Sequence, residues 1–320
     1  MAISQITNKS ITDATITAAD MAAGAVEGAM TTQIGGRRNL IINGAYTIWQ
    51  RSTTSSSNGV NTADRWQQND ATFTQETGIV PDNFQYSMKV VANGSGTPLL
   101  LQKIERPQVC GHVLNQDITV SFYARSSNVN AITKLELNDE GGSGGRPDGG
   151  AKTLSAADTW ERITHTFTAP FSSLTGNSVA VILTFATSAT VYISGFQVEV
   201  GSVASTYEHR SYGEELALCK RYYRVLGKGL QGDVAGSTFF ELSTTFDIEM
   251  RATPDLVLLT STPTITEMGA GGRTGSGSVI SGSTSSADGV VVAINGFSGM
   301  TVSNGAYSTT ASLISCTAEL

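Results

Sequence analysis

Apolar and polar side chains alternate along several segments in the middle of the chain. In DITVSFYAR, residues 117–125, every second side chain from Ile118 to Ala124 is apolar, and RITHTFTA (162–169) and SVAVILTFA (178–186) carry the same period. Successive side chains of a β-strand point to opposite faces, so a period of two indicates strands with one buried face. The pattern predicts a β-rich fold in which these apolar faces line a shared core.

The alternation changes phase once, in the segment TVYISGFQVEVG. Val191 and Ile193 occupy one phase, and after Gly195 the apolar positions resume one residue late, at Phe196. A glycine at a one-residue slip is typical of a β-bulge, where an extra residue bends the strand. We therefore expect a single strand here that is interrupted by a bulge at Gly195.

A helical period replaces the alternation over residues 211–226. Ser211 followed by Glu214 has the spacing of a capping box, and Gly227 is a candidate C-cap. Acidic residues open the segment and basic residues close it, which complements the helix dipole. The sequence predicts one short helix that links two β-rich domains.

The C-terminal part returns to a period of two in FELSTTFDIEM, residues 240–250. The glycine- and serine-rich segment GAGGRTGSGSVISGSTSS follows, and GVVVAI then resumes a strand-like composition. These features predict a second, smaller β-sandwich that the glycine-rich segment interrupts.

The first 36 residues have a different pattern, with an apolar residue at every fifth position: Ile6, Ile11, Ile16, Met21 and Val26. A period of five fits neither an α-helix nor a flat strand, and one chain alone offers no partner face for such a row. Two interpretations stand side by side. Several chains wind together into a stalk that buries the row, or the segment is a tail whose period is accidental.

Composition narrows the function classes. Charged residues make up 15% of the chain, the formal net charge is −7 and the isoelectric point is about 5.0. A sequence-independent nucleic-acid binder needs a basic surface, so we expect no nucleic-acid partner. No apolar stretch is long enough to span a bilayer and the N-terminus lacks a secretory signal, so we expect no membrane insertion and synthesis inside a cell.

Candidate chemistry is sparse. The three cysteines, Cys110, Cys219 and Cys316, are far apart and fit buried apolar positions better than a disulfide framework or a zinc site. Two adjacent carboxylate pairs, Asp139 with Glu140 and Glu214 with Glu215, could in principle supply an acid and a base.

Solvated and helix-capping roles fit both carboxylate pairs better, and the sequence contains no nucleophile-elbow, phosphate-loop or zinc-protease motif. Asn138, Asp139 and Glu140 offer oxygen ligands for calcium, but their spacing is not that of an EF-hand. We expect no enzymatic activity, no cofactor and no bound metal.

Aromatic side chains are the candidates for sugar binding, because a flat ring can pack against the apolar face of a pyranose. Trp66 and Trp160 lie in contexts that favour core packing, whereas Trp49 and Tyr123 are the candidate binding residues. Tyr123 falls on the polar, outward phase of its strand.

Three groups of segments resemble fibre and virion-surface proteins of tailed bacteriophages. They are NLIINGAYTIWQR with ADRW (39–51 and 63–66); VSFYAR, WERITHTFTAP and VYISGFQVEVGSVASTYEHRSYGEELALCKRYY (120–125, 160–170 and 191–223); and the stalk-like TITAADMAAGAV (15–26). The resemblance covers most of residues 1–226, and FDIEMRATP extends it loosely into the C-terminal part. It implies a jelly-roll domain similar to carbohydrate-binding modules, in a homotrimeric virion component.

Together these observations predict an all-β protein with three parts. Residues 1–36 form a stalk or virion-attachment segment, residues 37–212 a jelly-roll β-sandwich, and residues 213–320 the linking helix with a smaller β-rich domain. The expected function is that of a homotrimeric tail fibre that binds a host-surface glycan and joins other virion proteins through residues 1–36. A capsid head fibre or decoration protein is the alternative, and a glycan-cleaving tailspike is the third possibility.

Overall fold

The computed structural model describes residues 38–59, 61–106 and 113–320. The predicted stalk residues Ile6, Ile11, Ile16, Met21 and Val26, and also Cys110, lie outside these residues. The described chain is nearly all β, which confirms the predicted fold class. No helix within it has both the length and the hydropathy to cross a membrane.

The N-terminal domain is a sandwich of two antiparallel sheets. The six-stranded sheet has the order β1-β3-β4-β10-β6-β8. Its strands are β1 (Thr54–Ser55), β3 (Ala71–Glu76), β4 (Ser87–Ala92), β6 (Ile118–Ser126), β8 (Glu161–Phe167) and β10 (Thr190–Val200). The four-stranded sheet has the order β2-β5-β9-β7. It contains β2 (Gln67–Asn69), β5 (Leu99–Glu105), β7 (Ile132–Glu140) and β9 (Ser178–Phe185).

From β4 to β10, successive strands alternate between the two sheets, which is the connectivity of a jelly roll. The alternating apolar side chains fill the space between the sheets, as the sequence predicted. Ile118, Val120 and Phe122 of β6 are at most 2% exposed, and they pack in one cluster with the apolar face of β9. This shared core holds the two sheets together.

The predicted β-bulge is present in β10. Its pairing with β6 shifts register between Ser194 and Gln197, and Gly195 has φ +59°. Val191 and Ile193 before the bulge and Phe196 after it all face the core. The extra residue therefore preserves the buried face of the strand across the phase change.

The predicted helix is shorter than its sequence pattern suggests. Helix α1 (Tyr212–Lys220) begins at the predicted N-cap, where the Ser211 hydroxyl accepts a hydrogen bond from the Glu214 amide at 3.3 Å. Residues from Tyr223 onward form a strand instead, so the prediction of a helix to residue 226 with a Gly227 C-cap was wrong. Aromatic and β-branched residues favour extended structure, and pairing with a strand nearly 90 residues away outweighs the local helical period.

The C-terminal domain also has two antiparallel sheets around one core. The three-stranded sheet, in the order β11-β20-β14, contains β11 (Tyr223–Gly227), β14 (Asp255–Leu258) and β20 (Ser312–Thr317). The seven-stranded sheet has the order β16-β15-β19-β12-β13-β18-β17. Its strands are β12 (Gln231–Gly236), β13 (Phe239–Thr245), β15 (Thr264–Glu267), β16 (Gly271–Thr274), β17 (Ile280–Ser286), β18 (Gly289–Asn295) and β19 (Gly305–Ser308).

The glycine- and serine-rich segment of this domain does not interrupt the sheet as the sequence suggested. It supplies β16 and β17, which form the two edges of the seven-stranded sheet. Main-chain hydrogen bonds make the strand pairing, so an exposed edge strand needs few apolar side chains. The low apolar content of this segment is therefore explained by its position at the two edges of the sheet.

Candidate functional site

The two outer faces of the N-terminal sandwich differ in chemistry. On the four-stranded sheet, charged side chains pair with one another: Lys103 lies 3.6 Å from Glu140, while Lys134 and Arg146 both contact Glu136. The outward positions of β2, β5, β7 and β9 carry no aromatic side chain. This face neutralises its own charges and offers no ring for stacking.

One half of the outer face of the six-stranded sheet is covered by residues 201–210. The Thr119 hydroxyl donates to the Gly201 carbonyl at 2.6 Å, and the Glu208 amide donates to the Gln197 side chain at 2.9 Å. Thr119 and Gln197 are buried as a result, although they point away from the core. The covering segment leaves the other half of this face open.

Tyr192 lies at the centre of the open half. It is directly opposite Lys89 on β4 and directly opposite Arg125 on β6, so the three side chains form a row across three strands. The Lys89 ammonium is 6.0 Å and the Arg125 guanidinium 5.9 Å from the centroid of the Tyr192 ring. An aromatic ring is thus flanked on both sides by cations within cation–π range.

A cluster of aromatic rings borders this row. Phe84 is the centre of the cluster, with ring centroids 5.5 Å from Tyr123, 5.1 Å from Tyr207 and 5.1 Å from His209. Burial, and secondarily the negative charge of Glu215, raise the pKa of Tyr207 above its ordinary value, so its phenol stays neutral. The cluster therefore presents a mainly apolar wall next to the cationic row.

The bulge at Gly195 makes room for this wall. A Cβ atom on Gly195 would lie 2.5 Å from the Phe84 ring and 3.0 Å from the Tyr123 ring. The two rings can meet over β10 only because residue 195 has no side chain. The same glycine that corrects the strand phase thus positions the candidate site.

The two sequence-predicted binding residues lie in different places. Tyr123 is half-buried within the aromatic cluster on the open half. Trp49 is half-buried beside the N-terminal core, and its indole N–H donates to the Tyr46 carbonyl at 2.6 Å. The adjacent Gln50 donates to the Tyr223 carbonyl of the C-terminal domain at 2.9 Å, which places Trp49 beside the domain junction. The structure does not bring Trp49 and Tyr123 together.

Sequence reasoning missed Tyr192, Lys89 and Arg125. Tyr192 lies on the polar phase of β10, between Val191 and Ile193, and Tyr123 was found by the same criterion in β6. Applying that criterion to every strand would have identified Tyr192. Lys89 and Arg125 lie on either side of Tyr192 because of the register in which β4, β10 and β6 pair. The sequence pattern does not predict this register.

Asp139 has a structural role. It is 3% exposed, and its two oxygens accept hydrogen bonds from the backbone amides of Gly144 (2.8 Å), Thr175 (3.1 Å) and Gly176 (2.9 Å). These contacts join the glycine-rich loop after β7 to the loop before β9. The carboxylate is occupied by N–H donors, which leaves it poorly placed as a calcium ligand or a catalytic base.

The remaining candidate carboxylates also have identifiable partners. Glu140 pairs with Lys103 on the four-stranded sheet, and the backbone of Glu214 is capped by Ser211. Glu215 is buried and accepts a hydrogen bond from the Asn43 amide at 2.6 Å. No group of three or more His, Cys, Asp or Glu side chains in the described chain is arranged to hold a metal ion.

A shallow depression with a volume of about 590 Å³ lies on the C-terminal domain, away from the aromatic face. Thr245, Thr284, Ser286 and Asp288 contribute to its polar lining. Its lining contains no aromatic ring, so it lacks a flat apolar surface on which a sugar could stack. We therefore assign the candidate site to the row Lys89–Tyr192–Arg125 with the adjacent aromatic cluster.

Comparisons with known proteins return structural similarities only. No protein-family model matches the chain, and no curated protein matches it. Among solved structures, the xylan-binding domain CBM22-1 of Xyn10C from Paenibacillus barcinonensis is 11% identical, with a TM-score of 0.36, over 52% of this chain and 96% of that one. TmCBM61 in complex with β-1,4-galactotriose is 13% identical, with a TM-score of 0.33, over 51% of this chain and 99% of that one.

The enzymatically active domain of tailspike protein 4 from bacteriophage CBA120 is 13% identical, with a TM-score of 0.34. The match covers 51% of this chain and 21% of that one.

Proposed function

We propose that this protein is a non-catalytic, glycan-binding subunit whose site is the open half of the six-stranded sheet. The observation that carries the proposal is Tyr192, a half-buried ring at the centre of that face with polar and charged side chains on both sides. The C–H face of a pyranose packs on such a ring, while its hydroxyl groups reach the flanking hydrogen-bond donors. Tyr123 and Phe84 extend the apolar surface at one side.

The partners of the candidate carboxylates support a binding role without catalysis. Asp139 holds two loops together, and Glu215 anchors α1 to the N-terminal domain. A glycosidase needs an acid and a base that face the same open site. The carboxylates singled out in the sequence are divided between the four-stranded sheet and α1, away from the Tyr192 row.

We also propose that the protein acts in a bacteriophage virion, as a homotrimeric tail fibre that binds the host surface and joins other virion proteins through residues 1–36. The support is the five-residue period of the N-terminal segment and the resemblance to phage fibre proteins of residues 39–51, 63–66, 120–125, 160–170 and 191–223. A capsid head fibre or decoration protein is the alternative, because the same attachment segment would serve either location. A glycan-cleaving tailspike has less support, since the carboxylate pairs singled out in the sequence lie away from the Tyr192 row.

Glycan binding is tested with the full-length chain on a glycan array, followed by calorimetry on the best ligand. Replacing Tyr192 with Ala should weaken binding by about tenfold or more, because the apolar contact that the ring makes with the sugar is worth roughly 1.5–3 kcal/mol. Tyr212→Ala is the matched control, since Tyr212 is an exposed tyrosine at the start of α1. Equal loss in both variants, or no loss in either, would refute the site.

Trimer formation is tested separately by light scattering of the full chain and of a chain without residues 1–34. If the apolar row of the stalk joins three chains, the truncated protein should lose trimers while its domains stay folded. A truncated protein that stays trimeric at low micromolar concentration would show that the sandwiches form the interface. Immunolabelling of phage particles with antibody to residues 213–320 distinguishes tail from head.

A further inference from the structure

We infer that the glycan bound at the Tyr192 row is anionic, a saccharide that carries carboxylate groups and sets them against Lys89 and Arg125. This inference rests on the proposed function and adds the chemical class of the ligand. It concerns the two cations of the row rather than the ring itself.

Lys89 forms no close ion pair, although its charge interacts with that of Glu76 at longer range. Within the part of the chain that the structure describes, no carboxylate lies within 4 Å of its ammonium group. The nearby carboxylate of Glu76 is engaged in its own turn, where it accepts hydrogen bonds from the backbone amides of Thr77 (2.9 Å) and Gly78 (2.7 Å). The uncharged Thr74 lies directly opposite Lys89 on β3. The charge of Lys89 is therefore available to a ligand.

Arg125 is only partly compensated. Its Nε donates to the Asp158 backbone carbonyl at 2.7 Å, and its Nη2 lies 3.6 Å from the Asp158 carboxylate. The Asp158 side chain is 60% exposed, so water screens this pair strongly. A guanidinium has five N–H donors, and these contacts leave donors that can bind a carboxylate in the bidentate manner.

The spacing of the two cations suits a chain of sugars. Lys89 and Arg125 lie on the strands to either side of Tyr192, so two strand spacings of about 4.8 Å separate their backbones by roughly 10 Å. A sugar stacked on Tyr192 can thus reach one cation directly, and the next sugar along can reach the other. The protein has a formal net charge of −7, so these two cations attract an anionic ligand locally and are not part of a generally basic surface.

The test uses the full-length protein and paired probes. Oligogalacturonates, alginate oligosaccharides and sialylated oligosaccharides are each compared with the same molecule after its carboxyl groups have been reduced to alcohols. We expect at least one acidic form to bind about tenfold more tightly than its reduced partner at low salt. The difference should shrink as salt is raised, because screening weakens exposed ion pairs.

Substitutions separate the charge effect from stacking. Lys89→Gln should lower binding of the acidic form more than binding of the reduced form, with Arg125 retaining part of the preference, whereas Tyr192→Ala should weaken both forms to a similar degree. Lys228→Gln is the matched control, because Lys228 is an exposed lysine of the C-terminal domain. An undiminished preference in Lys89→Gln would overturn the inference.

Other outcomes distinguish the inference from the proposed function. If neutral glycans bind through Tyr192 and the acidic forms gain nothing, the ligand is a neutral glycan and only the inference fails. If no glycan on the array binds, the proposed function fails and the inference with it. Equally tight, Lys89-dependent binding of a single-stranded oligothymidylate would identify a general polyanion site, which also overturns the inference.

Discussion

Asp139 shows how one buried side chain fixes the conformation of two loops. Its carboxylate accepts three backbone amides, two of them from residues more than 30 positions away in sequence. The adjacent glycines are needed for this close approach, because a Cβ atom on Gly142 or Gly176 would collide with the Asp139 carboxylate. The aspartate and the glycine-rich sequence around it therefore form one structural unit.

Replacing Asp139 with Asn should destabilise the N-terminal domain. The amide group keeps one acceptor oxygen and points a donor at backbone N–H groups, which leaves at least one of them buried without a partner. We expect a loss of about 2–3 kcal/mol in the free energy of unfolding, measured by urea titration. Asp82→Asn is the control, since Asp82 is exposed on a turn, and equal effects in the two variants would contradict the assigned role.

Asp64 should make the free energy of unfolding decrease as the pH rises from about 4 to 6. Burial raises its pKa to about 6, while hydrogen bonds from Gln50 and the charge of Arg51 oppose the rise. The unfolded carboxyl ionises near 3.8, so between pH 4 and 6 the folded state holds a proton that the unfolded state has released. Asp64 therefore contributes stability below pH 4 that is lost as the pH rises through 6.

The measurement compares the parent protein with Asp64→Asn. Because the substituted side chain does not titrate, the stability of the parent relative to the variant should fall by about 2 kcal/mol between pH 4 and pH 7. Taking the difference removes the contribution of the other carboxylates, which titrate in both proteins. A constant difference across this range would show that the pKa of Asp64 is not raised in the folded protein.

Among the elements, β10 links fold and site most directly. Gly195 has φ +59° and Phe84 lies over it, so both backbone conformation and packing require glycine. Gly94 also has a positive φ, +86°, but a Cβ atom there would meet no other atom within 4 Å. Alanine at Gly94 would therefore introduce backbone strain alone, whereas alanine at Gly195 would add a steric clash with Phe84.

Gly94→Ala should cost about 1–2 kcal/mol, the penalty of a left-handed backbone for a residue with a side chain. Gly195→Ala should cost more, because it also displaces the Phe84 ring, and it should weaken glycan binding as well. Thermal unfolding and the array ligand provide the two measurements. If both variants lose the same stability and both keep full binding, the bulge does not position the aromatic cluster.

The elements differ in how far their sequence revealed them. Strands β6 and β9 were predictable because every second residue packs in the core between the sheets and is large and apolar, as Val120 and Phe122 are in β6. Strand β11 was not, because its partner β20 lies at the other end of the domain and the local pattern around Tyr223 is also helical. The candidate site is also only partly predictable from sequence. The position of Tyr123 on the outward face of β6 follows from the local alternation, whereas its contact with Phe84 depends on how the chain folds.

At the scale of the whole molecule, the C-terminus is bound into the junction between the two domains. Glu319 forms ion pairs with Arg65 and Arg51 of the N-terminal domain, the latter at 3.0 Å. The Arg65 guanidinium stacks 3.5 Å from the centroid of the Tyr222 ring, and that of Arg51 lies 3.6 Å from the centroid of the Tyr223 ring. These contacts connect residues between about 160 and 270 positions apart, so no local sequence pattern could indicate them.

Replacing Glu319 with Gln should uncouple the domains. Burial raises the pKa of Glu319, but the charges of Arg65 and Arg51 outweigh that effect and hold it below its ordinary value, so the carboxylate is ionised at neutral pH. Arg65 is buried, with 3% of its side chain exposed, and losing its partner leaves an uncompensated charge that costs about 3–5 kcal/mol. The expected result is earlier unfolding of the C-terminal domain, seen by calorimetry as two separate transitions.

The same junction should weaken in acid. Because the folded pKa of Glu319 lies below its unfolded value, its stabilising effect is present above the unfolded pKa and disappears as the pH falls through the folded one. Acidification of the parent protein should therefore reproduce the calorimetric profile of Glu319→Gln, and the variant itself should respond less to acid. Glu249→Gln, a change at an exposed glutamate of the same domain, is the control. If Glu319→Gln unfolds at the same temperature and in the same number of transitions as this control, the apolar contacts of Tyr222 with Ile42 and Ile48 hold the junction without the ion pairs.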